Sequence, residues 1–392
     1  MSNRRPRKYN GYIVVKKTKC SAACVNKQPS LFENLDVVEH AETSKTVPFC
    51  ANPSPKSRRK RMLLSEEIGA RRSRSHYYNQ AQIHEKHWFQ KLLSDLCSNI
   101  SDLPRIPGAG RTRLPMSDMV FAVVYKVYEC VSGRRFISDL KDAQLKGYIS
   151  RTPHFNSIYN YLDHDEMYGC LKALIEITTE PFEGLEVNFG VDSTGFSTGQ
   201  FTRWLDHKWN GKQYASGTKW WKCHVSCGVS TNIVTSVQIT DKFHADHGQF
   251  EPLVTETSRR FNINTVLADK AYLSRANLEL VDNKGGVAYI PFKPNNRPLK
   301  RNGSVWNSMF HMFHLHSEKF ARHYYMRANV ESTFSMIKRK FGERLRSKTD
   351  TAQINEILCK VLCHNICCVV HAMYELGIDP NFKEGSFAKV AR

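Results

Sequence analysis

The 392-residue chain is too long for one small hydrophobic core, and 41% hydrophobic residues exclude wholesale disorder or a fibrous repeat. Its 57 Lys and Arg against 37 Asp and Glu leave a formal charge of +20, an excess suited to neutralising phosphates rather than to an ordinary metabolic enzyme. No run of 18 or more apolar residues predicts a membrane span, the basic, polar Met1–Lys8 does not read as a secretory leader, and twelve cysteines are read as thiols of a reducing compartment rather than a disulfide framework.

Residues 1–75 carry 17 Lys and Arg and 6 Asp and Glu, more than half of the net charge, and read as a basic, largely disordered arm. A solvated tail and a non-specific DNA tether are compatible readings of it. Cys20, Cys24 and Cys50 are a loose candidate zinc set without an obvious fourth ligand. Residues 76–184 read as a helical domain. Helices are expected over Gln80–Asn99, over Ser117–Val131 with Ser117 as N-cap, over Ile137–Lys146 ended by Gly147, from Thr152-Pro153 onward, and over Met167–Thr179. The pair around Gly147 resembles a helix-turn-helix as much as a packed helical subdomain.

The pattern changes at Leu185. Strands are expected over Glu186–Asp192, Lys222–Val229, Ile233–Ile239, Thr265–Ala268 and Val287–Ile290, with Ser230-Thr231-Asn232 closing a hairpin. Helices are expected over His247–Phe261 and Ser274–Asn283. A long helix follows from about Ser317 to Phe341, and another spans Ala352–Leu376. An antiparallel start followed by alternating helices and strands predicts an α+β, mixed α/β fold, with a mixed sheet flanked by helices over residues 185–350 and a C-terminal helix and tail over 351–392.

Three carboxylates stand out from the surface acids. Asp192 follows the apolar Phe189-Gly190-Val191, Asp269 follows Val266-Leu267-Ala268, and Glu331 lies in the long helix. Two strand-end aspartates and a helical glutamate suit hard cations, and such a site can run two-metal phosphoryl transfer. At about 100° per residue, Tyr324, Arg327, Glu331 and Lys338 share one arc of the helix, and Met326, Val330, Phe334, Ile337 and Phe341 the neighbouring one. Arg339, Lys340, Arg344, Arg346 and Lys348 extend a basic run beyond it.

These residues resemble the DDE transposases of bacterial insertion sequences. Tyr324, Arg327, Glu331 and Lys338 fit the Tyr-x2-Arg-x3-Glu-x6-Lys signature of that family at every spacing. Val191-Asp192-Ser193-Thr194 looks like its first aspartate segment and Leu267-Ala268-Asp269-Lys270-Ala271-Tyr272 like its second. The resemblance implies an RNase H-like catalytic domain in which Asp192, Asp269 and Glu331 are catalytic and hold two Mg²⁺ ions, with Mn²⁺ able to substitute. It implies cleavage at terminal inverted repeats, transfer of the freed 3′-hydroxyl into target DNA, and a homodimer or larger assembly on paired ends. Tyr324, Arg327, Lys338, Arg339 and Lys340 are then the DNA-binding candidates. The location implied is cytoplasmic or nucleoid-associated, with no membrane partner. Only about Pro291–Phe320 separates the last strand from the glutamate helix, which leaves little room for a large inserted domain.

Other features keep two readings. Asp246, beside His244 and His247, is a helix cap or a residue near the metals. His311, His314 and His316 fit aromatic packing with a DNA-facing surface, or zinc. Cys359, Cys363 and Cys367 share a helical face that suits core packing. Trp204, Trp209, Trp220 and Trp221, among Arg203, Lys208, Lys212, Lys219 and Lys222, fit either a structural hairpin or base stacking. Two functional alternatives stand beside the transposase: an RNase H-like DNA nuclease without strand transfer, and a transposase-derived DNA-binding protein lacking catalysis.

Overall fold

The computed structural model describes residues 55–102, 113–198, 220–300 and 304–383, with side chains from residue 75 onward. Residues 1–54, with the three N-terminal cysteines, lie outside the described residues, as do 199–219 with Trp204, Trp209, Arg203, Lys208, Lys212 and Lys219.

Five strands form one sheet in the order β3-β2-β1-β4-β5. β1 (Asn188–Ser197), β2 (Trp220–Gly228) and β3 (Val234–Asp241) are antiparallel neighbours. β4 (Thr265–Ala268) and β5 (Val287–Tyr289) continue the other edge in parallel. Turn chemistry explains the hairpin between β2 and β3. Asn232 takes a left-handed φ of 57°, which asparagine tolerates well. Buried Glu186 accepts the backbone N–H groups of Ser230 and Thr231 at 2.9 and 3.0 Å. Parallel strands need crossovers, and α6 (Phe250–Thr257) and α7 (Arg275–Asn283) supply them.

The helical part comprises α1 (Pro55–Cys97), α2 (Met116–Glu129), α3 (Gly133–Leu145), α4 (Phe155–Leu162) and α5 (Glu166–Ile177). After β5 come α8 (Val305–Leu315), α9 (Ser317–Tyr324), α10 (Ala328–Phe341) and α11 (Asp350–Glu375). By length and composition α11 could cross a membrane, yet 83% of its most apolar window is buried inside the molecule. It packs on α1, α2, α5 and β3, so it serves as the central core helix shared by the helical part and the sheet. Cys359, Cys363 and Cys367 are buried on it, as core packing requires. Lys360 and Glu356, both buried, hold the chain after α10. Lys360 donates to the carbonyls of Gly342 and Arg344 at 2.9 and 2.7 Å, and Glu356 accepts the N–H groups of Arg346 and Ser347.

Several expected boundaries move. α1 starts at Pro55, so residues 55–75 are helical backbone rather than part of a disordered arm. Ser117 is not an N-cap; that position falls to Pro115, with no side-chain bond. α4 is capped by the His154 ring, which accepts from Asn156 N–H, because Thr152 instead bonds Gln144. The connection from α3 to α4, residues 146–154, is far longer than the three or four residues of a helix-turn-helix. α8 is a helix in a stretch for which no element was expected. Phe292 packs edge-on against Trp306 and Phe310 of this helix. The long helix expected from Ser317 to Phe341 is broken: α9 ends at Tyr324, a 3₁₀ turn covers Tyr325–Arg327, and α10 starts at Ala328.

The two faces of the sheet separate by the period of two. Gly190, Asp192 and Phe196 of β1 share the face covered by α10. Cys227 of β2 meets Thr333 there at 3.7 Å, and Lys338 sits 5.5 Å over the Phe196 ring. Ser193 and, in register with it, His224 and Gln238 lie on the other face, where Gln238 bonds Glu256 of α6 at 2.7 Å. Close contact with α10 depends on Gly190: a Cβ added there would lie 2.1 Å from Val330 Cγ2. Gly190→Ala is therefore expected to cost about 1–3 kcal/mol in a denaturant titration, the range for overpacking a filled core. A second change, Val330→Ala, should recover part of that loss in a double-mutant cycle; fully additive costs would contradict this contact as the cause.

Candidate active site

The parallel pairing of β1 with β4 brings the two aspartates together. Val191 is in register with Ala268, so Asp192, within β1, and Asp269, just past β4, come next to each other on neighbouring strands. Asp192 sits inside the strand, and its Oδ1 accepts the N–H of Ser193 at 2.9 Å. Asp269 lies one residue past β4, and its carboxylate accepts the N–H of Lys270 at 2.7 Å, opening a 3₁₀ turn. The expectation that Asp192 ends its strand is corrected: β1 runs on to Ser197.

Arg327 joins this pair to the helix. One guanidinium nitrogen donates to Asp192 Oδ2 at 2.7 Å and the other to Glu331 Oε1 at 2.9 Å. The two bonds differ in weight. Arg327 and Asp192 are both largely buried, so their charge-assisted bond contributes on the order of 1.5–3 kcal/mol. The Glu331 side chain is 63% exposed, and its i,i+4 pair is worth roughly 0–1 kcal/mol. Arg327 is thus anchored on Asp192, and Glu331 is held lightly.

The electrostatics follow from crowding. Burial pushes the Asp192 carboxyl above the usual range; the Ser193 N–H and the guanidinium pull it back, and the Asp269 charge pushes it further up. The Arg327 guanidinium is held more firmly protonated by Asp192, Tyr324, Glu331 and Asp269, against the opposing effect of its own burial. Burial likewise raises the Tyr324 phenol, with Arg327 lowering it and Asp269 and Asp192 raising it. The Arg327 guanidinium lies 6.0 Å over the Tyr324 ring.

Tyr324, Arg327 and Glu331 therefore converge with Asp192 and Asp269, although a helix break lies between Tyr324 and Glu331. The remaining three candidates do not. Lys338 is half-buried against Phe196, and burial lowers its ammonium pKa. Lys340 turns to the helical part, where it pairs with Glu85 of α1 and approaches Cys367. Arg339 is exposed. Among the described residues no group of three or more His, Cys, Asp or Glu side chains is close enough together to hold a metal ion. The oxygen donors nevertheless suit a hard cation, and the cationic group now among them is a guanidinium bonded to two of the three carboxylates.

A polar cluster that sequence reasoning did not assemble lies on the other face. Lys222 Nζ donates to Asp246 Oδ1 at 3.0 Å and to the His244 carbonyl at 2.8 Å, and Ser193 Oγ donates to Asp246 Oδ2 at 3.4 Å. Asp246 is thus no helix cap; Ala245 holds that position. The alternation of Lys222 and His224 on one strand face was the available signal, but nothing local ties it to Asp246.

Residues 187–366 match the family model described as "Transposase DDE domain", which extends past the sheet into α11. The chain is also 26% identical over 187 residues to a probable transposase for insertion sequence element ISA1214 of Archaeoglobus fulgidus, covering 48% of this chain and 55% of that relative. The chain thus spans about half the length of this relative. No solved structure matches the chain. The matched stretch holds Asp192, Asp269 and Glu331 and is similar to the transposase DDE domain.

Proposed function

We propose that this chain cuts DNA at the terminal inverted repeats of an insertion element and joins the freed 3′-hydroxyl to target DNA, with Asp192, Asp269 and Glu331 as its catalytic carboxylates. The observation that carries the reading is the register of β1 with β4, which sets two aspartates side by side with Arg327 between them and Glu331. Two Mg²⁺ ions, or Mn²⁺, bound by these carboxylates would activate the attacking oxygen and stabilise the leaving oxygen.

The chain's own residues have separable tasks. Asp192 and Asp269 present oxygen ligands from a rigid sheet. Glu331, exposed and lightly paired, adds its carboxylate from α10. Arg327 neutralises the carboxylates before substrate arrives. Once cations balance that charge, its planar fork is available for a phosphate, which it binds bidentately. Tyr324 stacks beside the guanidinium and limits its directions. The basic surplus of residues 1–75 and exposed Arg339 attract the DNA backbone. Lys338 and Lys340, half-buried on Phe196 and paired with Glu85 respectively, have more structural than DNA-binding surroundings. A homodimer or larger assembly on paired ends fits a reaction that needs two ends.

Asp192→Asn and Glu331→Gln should each abolish cleavage of an end-containing duplex while a gel shift shows end binding within about two-fold of the parent. Either variant cutting at the parent rate with Mg²⁺ would overturn its assignment. Arg327→Gln should move the Asp192 carboxyl to still higher pKa, because the guanidinium that lowers it is gone. The sign is fixed: less of the carboxylate is ionised at a given pH, so carboxyl-carbon NMR of Asp192 should titrate at higher pH. An unchanged midpoint would mean that the pair contributes nothing to the site.

A further inference from the structure

The cluster on the far side of β1 is built around strands that the proposed site depends on. Ser193 follows Asp192, and the two side chains leave the strand on opposite faces. The Ser193 N–H donates to Asp192 on one side, while its hydroxyl donates to Asp246 on the other. Asp246 is tied to β2 by Lys222, which also grips the His244 carbonyl and so fixes the segment leading into Asp246. Tyr272, three residues after Asp269, is only 1% exposed. The phenol lies close enough to Asp246, Asp192 and Asp269 for all three carboxylates to raise its pKa, behind the larger effect of burial. The Lys270–Tyr272 turn packs against the Asp246–Gln249 turn, which brings Tyr272 to the Asp246 cluster.

We propose that Asp246 is a positioning residue: with Lys222 as its anchor, it braces Ser193 and Tyr272 from behind the sheet and so fixes the spacing of Asp192 and Asp269 as cation ligands. The proposal rests on the metal-binding reading given above. Its physical basis is that ligand groups must be held to within about 0.5 Å to bind well, and that outer partners of ligands typically change metal affinity 10–100-fold. The site-facing side of β1 is covered by α10, so the brace can act only from the other side.

The test uses the full chain and Mn²⁺ alone, with binding read by electron paramagnetic resonance. Asp246→Asn should weaken Mn²⁺ binding by about ten-fold or more, with metal-free DNA binding unchanged. Cleavage should recover towards the parent rate as the metal concentration is raised, which a merely destabilised fold would not allow. Ser193→Ala should show the same defect in smaller measure, and the double variant should lose no more than Asp246→Asn alone, because both act through one bond. If Asp246→Asn fails to fold, Ser193→Ala decides by the same readouts. Parent-like Mn²⁺ affinity in the folded variants would overturn the brace. If the parent binds Mn²⁺ but Asp192→Asn binds it equally well, the metal assignment itself fails and takes the brace with it.

Discussion

Burying one carboxylate beside another is unfavourable, and the site is organised around that conflict. Asp192 is largely removed from water with the Asp269 charge at its side, and both disfavour its ionisation. A cation beside them relieves that conflict. Arg327 fills that role, and it does so from the segment that also brings Tyr324 and Glu331. The break between α9 and α10 has a purpose in this light: Arg327 ends the 3₁₀ turn with its guanidinium set between the strand and α10. An unbroken helix would carry Arg327 and Glu331 on the same arc but would not by itself aim the guanidinium at Asp192.

The scaffold protects this arrangement from both sides of the sheet. On the front, the missing side chain of Gly190 lets α10 settle onto β1 through Val330. On the back, Asp246 and Lys222 stiffen the strand just past Asp192. Lys360 and Glu356 of the core helix α11 fix the chain where it leaves α10. The family match runs through residue 366, well into α11, and this helix is where the helical part and the sheet share their core.

Much of this was legible in the sequence because it is local. Short apolar runs ending in Asp gave β1 and β4, and Ser230-Thr231-Asn232 gave the hairpin. The spacing of Tyr324, Arg327 and Glu331 pointed to one site. What was not legible is long-range. Asp246 looked like a cap because caps are the commonest use of such an aspartate, and nothing nearby in sequence shows that Lys222, on another strand, claims it. Lys338 fitted the signature by spacing alone, but position on an arc does not say whether a side chain meets solvent or Phe196. Lys340 read as one more charge in a basic run until the fold set Glu85 beside it. The long connection between α3 and α4 hid behind Gly147, whose left-handed φ of 77° ends α3 without starting a tight helix-turn-helix.

The central claim is that Arg327 holds a cation site built by Asp192, Asp269 and Glu331. The most direct measurement is anomalous diffraction from crystals of the full chain soaked in Mn²⁺. The account predicts a peak between the carboxylates of Asp192 and Asp269, with the Arg327 guanidinium displaced from Asp192 in the same crystal. A Mn²⁺ peak at another place, with Arg327 still bonded to Asp192 and Glu331, would contradict it.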